Sequence, residues 1–463
     1  VIDASSLARP ERAYLVAVEQ DESGSLWSVE DSLSELGTLA RTAGAQVVGN
    51  MIQRLRHPDL ATYIGKGRAQ ELSDLKKTVG FTLVIVDDEL SPSQQRNLER
   101  FVHTRVLDRT ALILDIFARH AHTREGRLQV ELAQLEYRLP RLAGASADLS
   151  RQAGGSRSAG PAGAGGAIGV RGPGETRLEI DRRRIRGRIS ELREEIEAVR
   201  GQRKIHRQQR AAHLMPVVAL VGYTNSGKST LFNALTDADV LAENRLFATL
   251  DPTTRQITLP NNQQALLTDT VGFIQKLPTR LIAAFRATLE EVIEADLLIE
   301  VVDAVHENAI EQSETVSDVL EGLEALDKPR ITALNKIDLL EDHADIDSSL
   351  YPHAVPVSAL EHIGLAELST KIAEVLANTM EPVQVLVPYG RSDLVELFHR
   401  RGHLLKEEHR ADGTFLEGRI PRSLCGYYRE FPSGAHVPQY PGQAGSTGVK
   451  RGGWSEDRGP QRG

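Results

Sequence analysis

The chain has 463 residues, 40% hydrophobic and 26% charged, with a net charge of −9. That length suggests about three domains, no apolar run approaches the ~18 residues of a membrane span, and the start lacks a signal peptide's basic and apolar regions. A single cysteine, Cys425, excludes an internal disulfide and a cysteine-cluster zinc site. The cytoplasm is the expected setting, and a monomer without a membrane span the expected form.

Residues 1–115 read as a small α/β domain. Tyr14–Val18 and Leu83–Asp87 have the apolar character of strands, and Ser28–Thr42 and Gly67–Lys77 have helical spacing. Ser91 followed by Pro92 caps a further helix. Tyr63-Ile-Gly-Lys-Gly67 could form a phosphate loop, although short Gly-Lys-Gly turns are common and no complete nucleotide motif surrounds it. His120 and His122 lack a second ligand pair and read as surface or packing residues.

Residues 116–213 predict a helical hairpin. Leu128, Leu132, Leu135 and Leu139 form one stripe over 124–142, and Leu178, Ile185, Ile189, Leu192, Ile196 and Val199 another over 175–212. The connection 144–174 is rich in Gly, Ala, Ser and Arg, and includes Arg151, Arg157 and Arg171. The negative average charge conceals a basic stretch, Arg177 to Arg210. A basic hairpin with an arginine-bearing tip suits folded RNA; the alternative is a disordered linker.

Residues 214–380 hold the nucleotide motifs. Gly222-Tyr223-Thr224-Asn225-Ser226-Gly227-Lys228-Ser229 fits G-x-x-x-x-G-K-[ST] and lies between an apolar strand, Val217–Val221, and a helix continuing through Thr230. Its backbone N–H groups and the helix N-terminus suit phosphates, and Lys228 suits the β- and γ-oxygens. Ser229 and Asp269 are expected on Mg²⁺, joined by Thr249 when the γ-phosphate is present; Phe247 is placed on the nucleotide too. Gly272 of Asp269-Thr-Val-Gly272 offers an N–H to that phosphate. Lys228, Thr249 and Gly272 are therefore the expected catalytic groups.

Asn335-Lys336-Ile-Asp338 identifies the base. The Asp338 carboxylate can accept from guanine N1–H and the 2-amino group, whereas adenine offers neither donor there. Ser358 and Ala359, in Val357-Ser-Ala359, fit the loop touching the guanine O6 side. GTP or GDP is thus the expected ligand.

Two details concern hydrolysis. Where many GTPases carry a water-orienting Gln after Asp-x-x-Gly, this chain has Phe273. Either Phe273 only packs in the core, or turnover also waits on a partner that orders 240–256 and 273–282. Asn225 either stabilises the loop turn or lends its amide oxygen to a K⁺ ion.

Residues 381–430 suggest a small α+β domain, with a strand at Val383–Val387, a helix near Ser392–Arg401 and a strand within Gly413–Ile420. Residues 431–463 turn to Gly, Pro, Ser and Gln, and disorder is expected. The fold class is therefore α/β multidomain: an N-terminal α/β domain, a long helical hairpin, a P-loop GTPase domain with a mixed, mostly parallel sheet, and a small C-terminal α+β domain.

Over residues 10–430 the chain resembles the HflX-type ribosome-associated GTPases. The segments carrying the resemblance are Tyr63–Gly67, Asp108-Arg-Thr110, Gly126–Glu136, Arg171-Gly-Pro-Gly-Glu-Thr176, Gly222-Tyr-Thr-Asn225 and Asp269–Ile274. The resemblance implies binding to the large ribosomal subunit and its ribosomal RNA, ribosome-stimulated GTP hydrolysis, and dissociation of stalled or idle ribosomes under stress. It also admits ATP binding by the N-terminal domain, and an ATP-driven RNA-remodelling protein with a regulatory GTPase is the rival function. A third is a GTP-dependent binding module with negligible hydrolysis. The connection between the helices is longer than the family's, with Ala-Gly-Pro-Ala-Gly-Ala at 159–164.

Overall fold

The structure is a computed structural model. It describes residues 10–20, 27–142, 173–212, 215–236, 246–247, 252–276, 286–340, 350–421 and 424–431. Thr249, the arginine-bearing connection and the tail lie outside these residues.

The N-terminal unit is a parallel sheet of order β2-β1-β3-β4, made of Arg12–Gln20 (β1), Gln46–Leu55 (β2), Leu83–Val86 (β3) and Arg105–Asp108 (β4). Its helices are Val29–Thr42 (α1), Gly65–Val79 (α2), Pro92–Val102 (α3) and Arg109–His120 (α4). Parallel sheets are buried on both faces, and β1 obeys that rule. Ala13, Leu15 and Ala17 pack with Leu36 and Ile113 on one side, and Tyr14, Val16 and Val18 with Leu72 and Leu98 on the other. Side-chain caps start three of these helices: Ser28 accepts from Asp31 N, Ser91 forms a capping box with Gln94, and Asp108 accepts from Ala111 N.

The sequence misses β2 and β4. The first is an edge strand in which only Met51 is buried, so its pattern is not apolar; the second is only four residues long. Within Tyr63–Gly67, Gly65 opens α2, and the preceding N–H groups are committed within the loop: Ala61 and Thr62 donate to Asp59 Oδ1, Tyr63 to Asp59 O, and Ile64 to Thr62 O.

Arg124–Arg141 (α5) packs against Pro173–Ala212 (α6) through Leu128, Leu132, Ile189, Leu192 and Ile196, with Leu135, Leu139 and Ile185 alongside. Arg188–Glu131 and Arg193–Glu136 ion pairs flank this seam, while Arg183, Arg184 and Arg186 are exposed.

The central sheet has the order β10-β9-β8-β5-β7-β6. It comprises Val217–Gly222 (β5), Thr253–Thr258 (β6), Gln264–Asp269 (β7), Leu297–Asp303 (β8), Arg330–Asn335 (β9) and Val355–Pro356 (β10). All its pairings are parallel except the β6 edge, which runs antiparallel to β7. The helices are Lys228–Thr236 (α7), Arg286–Glu294 (α8), Ala309–Gly322 (α9) and Leu365–Asn378 (α10). Val218 and Leu220 face one core with Phe232 and Ile372, while Ala219 and Val221 face another with Val292 and Leu320.

Glu381–Val387 (β11), His403–Arg410 (β12) and Gly413–Ile420 (β13) form an antiparallel sheet of order β11-β13-β12. It is covered by Phe398 and Leu394 of Ser392–Arg401 (α11), with Tyr428 of Cys425–Tyr428 (α12) edge-on to Phe398. The charged sequence of β12 hid it, because that strand forms an edge.

Among the described residues, no helix is long and apolar enough to cross a membrane.

Candidate nucleotide site

β5 ends at Gly222 and α7 begins at Lys228, so the phosphate motif occupies a strand-to-helix turn. Gly227 has φ +96°, and a Cβ there would lie 2.1 Å from Asn335 Nδ2. Only glycine combines that conformation with that closeness. The Lys228 side chain is buried, its Nζ donating to Gly222 O at 3.1 Å and Tyr223 O at 2.7 Å. Burial pulls this ammonium down to about 8, against the attraction of Asp269. Thr224 Oγ1 and Ser226 Oγ are buried without a hydrogen-bond partner among the described residues. Buried polar atoms of this kind call for an acceptor or donor from elsewhere, and a polyphosphate supplies it.

The Asp269–Gly272 segment is fastened directly to this loop. Thr224 N donates to Phe273 O at 2.8 Å and Phe273 N to Gly222 O at 3.0 Å, a short parallel bridge. A Cβ on Gly272 would come 2.9 Å from Thr224 Cα and 3.0 Å from Lys228 Nζ. Ser229 Oγ donates to Asp269 Oδ2 at 2.8 Å, so the two expected Mg²⁺ ligands adjoin. That donor set, a hydroxyl beside a carboxylate, suits a hard cation. Thr230 continues α7 one residue further.

The elements expected to read the base converge from β9 and the loop after β10. Asn335 is buried; its Nδ2 donates to Ser226 O at 2.9 Å and its Oδ1 accepts from Ala359 N at 3.0 Å. Ser358 Oγ donates to Asp338 Oδ1 at 2.6 Å, and Lys336 pairs with Asp303 at 2.6 Å. The structure thus joins residues 222–230, 269–272, 335–338 and 358–359 into one site.

Several expected residues behave differently. Phe247 does not stand free for a nucleotide: its ring is buried edge-on against Phe117 of α4, centroids 4.6 Å apart, because that cluster offers it an apolar home. Tyr223 contributes its backbone to the phosphate loop, but its side chain turns into the N-terminal unit and stacks on Trp27. Phe273 is buried among Ala219, Val221, Leu289 and Leu298, so its ring faces the core. Asn225 is exposed, with φ +62°, a conformation asparagine tolerates better than most residues.

Sequence reasoning missed a polar cluster beside the site. The Arg109 guanidinium, buried, bridges Glu35 and Asp87. Lys276 Nζ lies 2.7 Å from both Asp87 and Asp88, and Ser32 Oγ donates to Asp87 at 2.7 Å. Burial would raise the Asp87 carboxyl, but Arg109 and Lys276 outweigh it and hold it below its usual range. The only sequence signal was Asp108-Arg-Thr110, noted for its resemblance and not for its contacts.

Three family profiles match the chain: "GTP-binding GTPase N-terminal" over 30–118, "GTP-binding GTPase Middle Region" over 120–210, and "50S ribosome-binding GTPase" over 217–336. GTPase HflX of Lacrimispora saccharolytica is 45% identical over 414 residues, 89% of this chain and 94% of that protein. The chain belongs to the HflX family of GTPases. GTPase HflX of Escherichia coli is 41% identical over 403 residues, 85% of this chain and 92% of the relative. A solved GTP-binding protein from Sulfolobus solfataricus in complex with GDP shares 25% identity, covering 80% of this chain and 99% of its own, with a TM-score of 0.40. As an HflX family member with a GTPase domain, the protein binds GTP and is a GTP hydrolase.

Proposed function

We propose that this GTP hydrolase uses its nucleotide state to control association with the large ribosomal subunit, and that the subunit stimulates its hydrolysis. The observation carrying this reading is the burial of Phe273, which leaves no hydrogen-bonding side chain at the position that usually orients water. The "50S ribosome-binding GTPase" profile over 217–336 supports the choice of partner.

In this mechanism Asp338 accepts from guanine N1–H and the 2-amino group, while Asn335 and Ala359 fix the loop against the base. Lys228 and the N–H groups of residues 225 and 227–229 hold the phosphates, and the N–H of Gly272 meets the γ-phosphate. Ser229 and Asp269, joined by Thr249, would hold Mg²⁺, which neutralises charge on the β- and γ-oxygens when bound. Asn225 is available to a K⁺ ion beside the phosphates; equal turnover in K⁺ and Na⁺ would remove that role.

Ribosomal RNA is the proposed contact of the helical unit, whose exposed Arg183, Arg184 and Arg186 supply positive charge. The proposed setting is the cytoplasm and the proposed form a monomer. Dissociation of stalled ribosomes under stress is the proposed role.

Co-sedimentation with large subunits tests the switch. Retention with a non-hydrolysable GTP analogue and release with GDP are expected; equal binding in both states would sink the proposal.

A further inference from the structure

Tyr223 occupies two places at once. Its carbonyl oxygen accepts from Lys228 Nζ within the phosphate loop. Its hydroxyl, reaching the other way, accepts from the N–H of Gln275 at 2.8 Å, three residues past Gly272. A phenol has one proton, and with Gln275 as donor that proton must go elsewhere. It goes to the carboxylate of Glu35 on α1, in the N-terminal unit. Burial and then the Glu35 charge raise the Tyr223 phenol far above its ordinary value, so it stays a protonated donor at any working pH.

Glu35 is fixed in turn. Its second oxygen accepts from Arg109, whose guanidinium also pairs with Asp87 at 2.7 Å. Asp87 holds Lys276, the neighbour of Gln275. Residue 276 is therefore held from the N-terminal unit by an ionic contact, and residue 275 through the Tyr223 hydroxyl that Glu35 orients. Lys276 adopts φ +54°, a conformation non-glycine residues rarely take, consistent with a segment held from outside.

We propose that Glu35 is a positioning residue for GTP hydrolysis: it orients the Tyr223 hydroxyl so that the segment following Gly272 stays seated on the phosphate loop. This rests on the proposed contact between the Gly272 N–H and the γ-phosphate. With Glu35 in place, that N–H is presented at a fixed distance from Lys228 before GTP arrives. Without it, the Gln275 contact loses the group that orients its acceptor, and the γ-phosphate must organise the segment itself. Misplacement of a contact made to the reacting phosphoryl group lowers turnover more than ground-state binding.

Tyr223→Phe removes the hydroxyl while keeping the ring on Trp27, and Glu35→Ala removes the acceptor of its proton. Intrinsic GTP turnover of the full chain, GDP affinity and melting temperature would be measured for both variants and the double variant. The expected result is a roughly tenfold or greater fall in kcat for each, with KM and GDP affinity within about threefold. The double variant should lose no more than the worse single one, because both cut the same link. Unchanged kcat in folded variants would overturn the proposal, as would additive losses in which GDP affinity and kcat fall together. The assay needs no ribosomes, so a failure of subunits to stimulate the unmodified protein would sink the proposed function without deciding the role of Glu35.

Discussion

The side-chain amide of Asn335 donates to the backbone carbonyl of Ser226 at 2.9 Å, tying the end of β9 to the phosphate loop. The same amide accepts from Ala359 N, so one buried residue joins three segments separated by over a hundred positions and by 24 positions. Asn335 is thereby a scaffold for the site, while Asp338, whose Oδ1 accepts from Ser358 Oγ, is the residue proposed to read the base edge.

That division separates two variants. Asp338→Asn should weaken GTP binding roughly 100-fold, since a charge-assisted pair of bonds is lost. It should improve binding of xanthosine triphosphate, whose C2 oxygen accepts from the new amide. Asn335→Ala should weaken guanosine and inosine nucleotides alike, because it orphans Ser226 O and Ala359 N whichever purine is bound, at about 1–3 kcal/mol for each group. Nucleotide affinities for the four pairings check both; base discrimination lost in Asn335→Ala but retained in Asp338→Asn would reverse the roles.

Lys228 makes nucleotide binding proton-linked. Burial brings its amine to about 8 in the nucleotide-free protein, against an ordinary value of 10.5. Phosphates favour the ammonium, so above pH 8 binding should take up a proton and affinity should fall about tenfold per pH unit. Calorimetry in buffers of different ionisation enthalpy measures that uptake. Between pH 8 and 10.5 the unfolded chain keeps the proton that the folded one releases, so this group makes nucleotide-free stability rise with pH in that window.

Phe273 permits a direct test of why the glutamine is missing. Its ring is buried with Val221 and Leu289, so Phe273→Gln would place an amide in an apolar core. Stability should fall by roughly 3 kcal/mol or more, with no gain in intrinsic hydrolysis. Thermal melts and single-turnover rates measure the two effects; faster hydrolysis in a folded variant would show that the position faces the phosphate.

The phosphate and base motifs were legible because each is a local pattern whose chemistry needs particular residues at fixed spacing. The apolar stripes of α5 and α6 were legible for the same reason, since helical periodicity is read within a few turns. Edge strands β2 and β12 were not, as half-exposed strands carry little apolar signal. The sequence left Phe273 undecided between core and function, and its packing needed the third dimension. The Tyr223–Glu35 contact spans 188 positions between units, and no local pattern announces it. The same holds for Phe247, whose place against Phe117 is set by an apolar cluster shared between the two units.

The central claim is that hydrolysis waits for the large ribosomal subunit. Steady-state GTP turnover of the full chain should be slow alone, rise by an order of magnitude or more with purified large subunits, and stay low with small subunits. Turnover by the chain alone as fast as with saturating large subunits would contradict it.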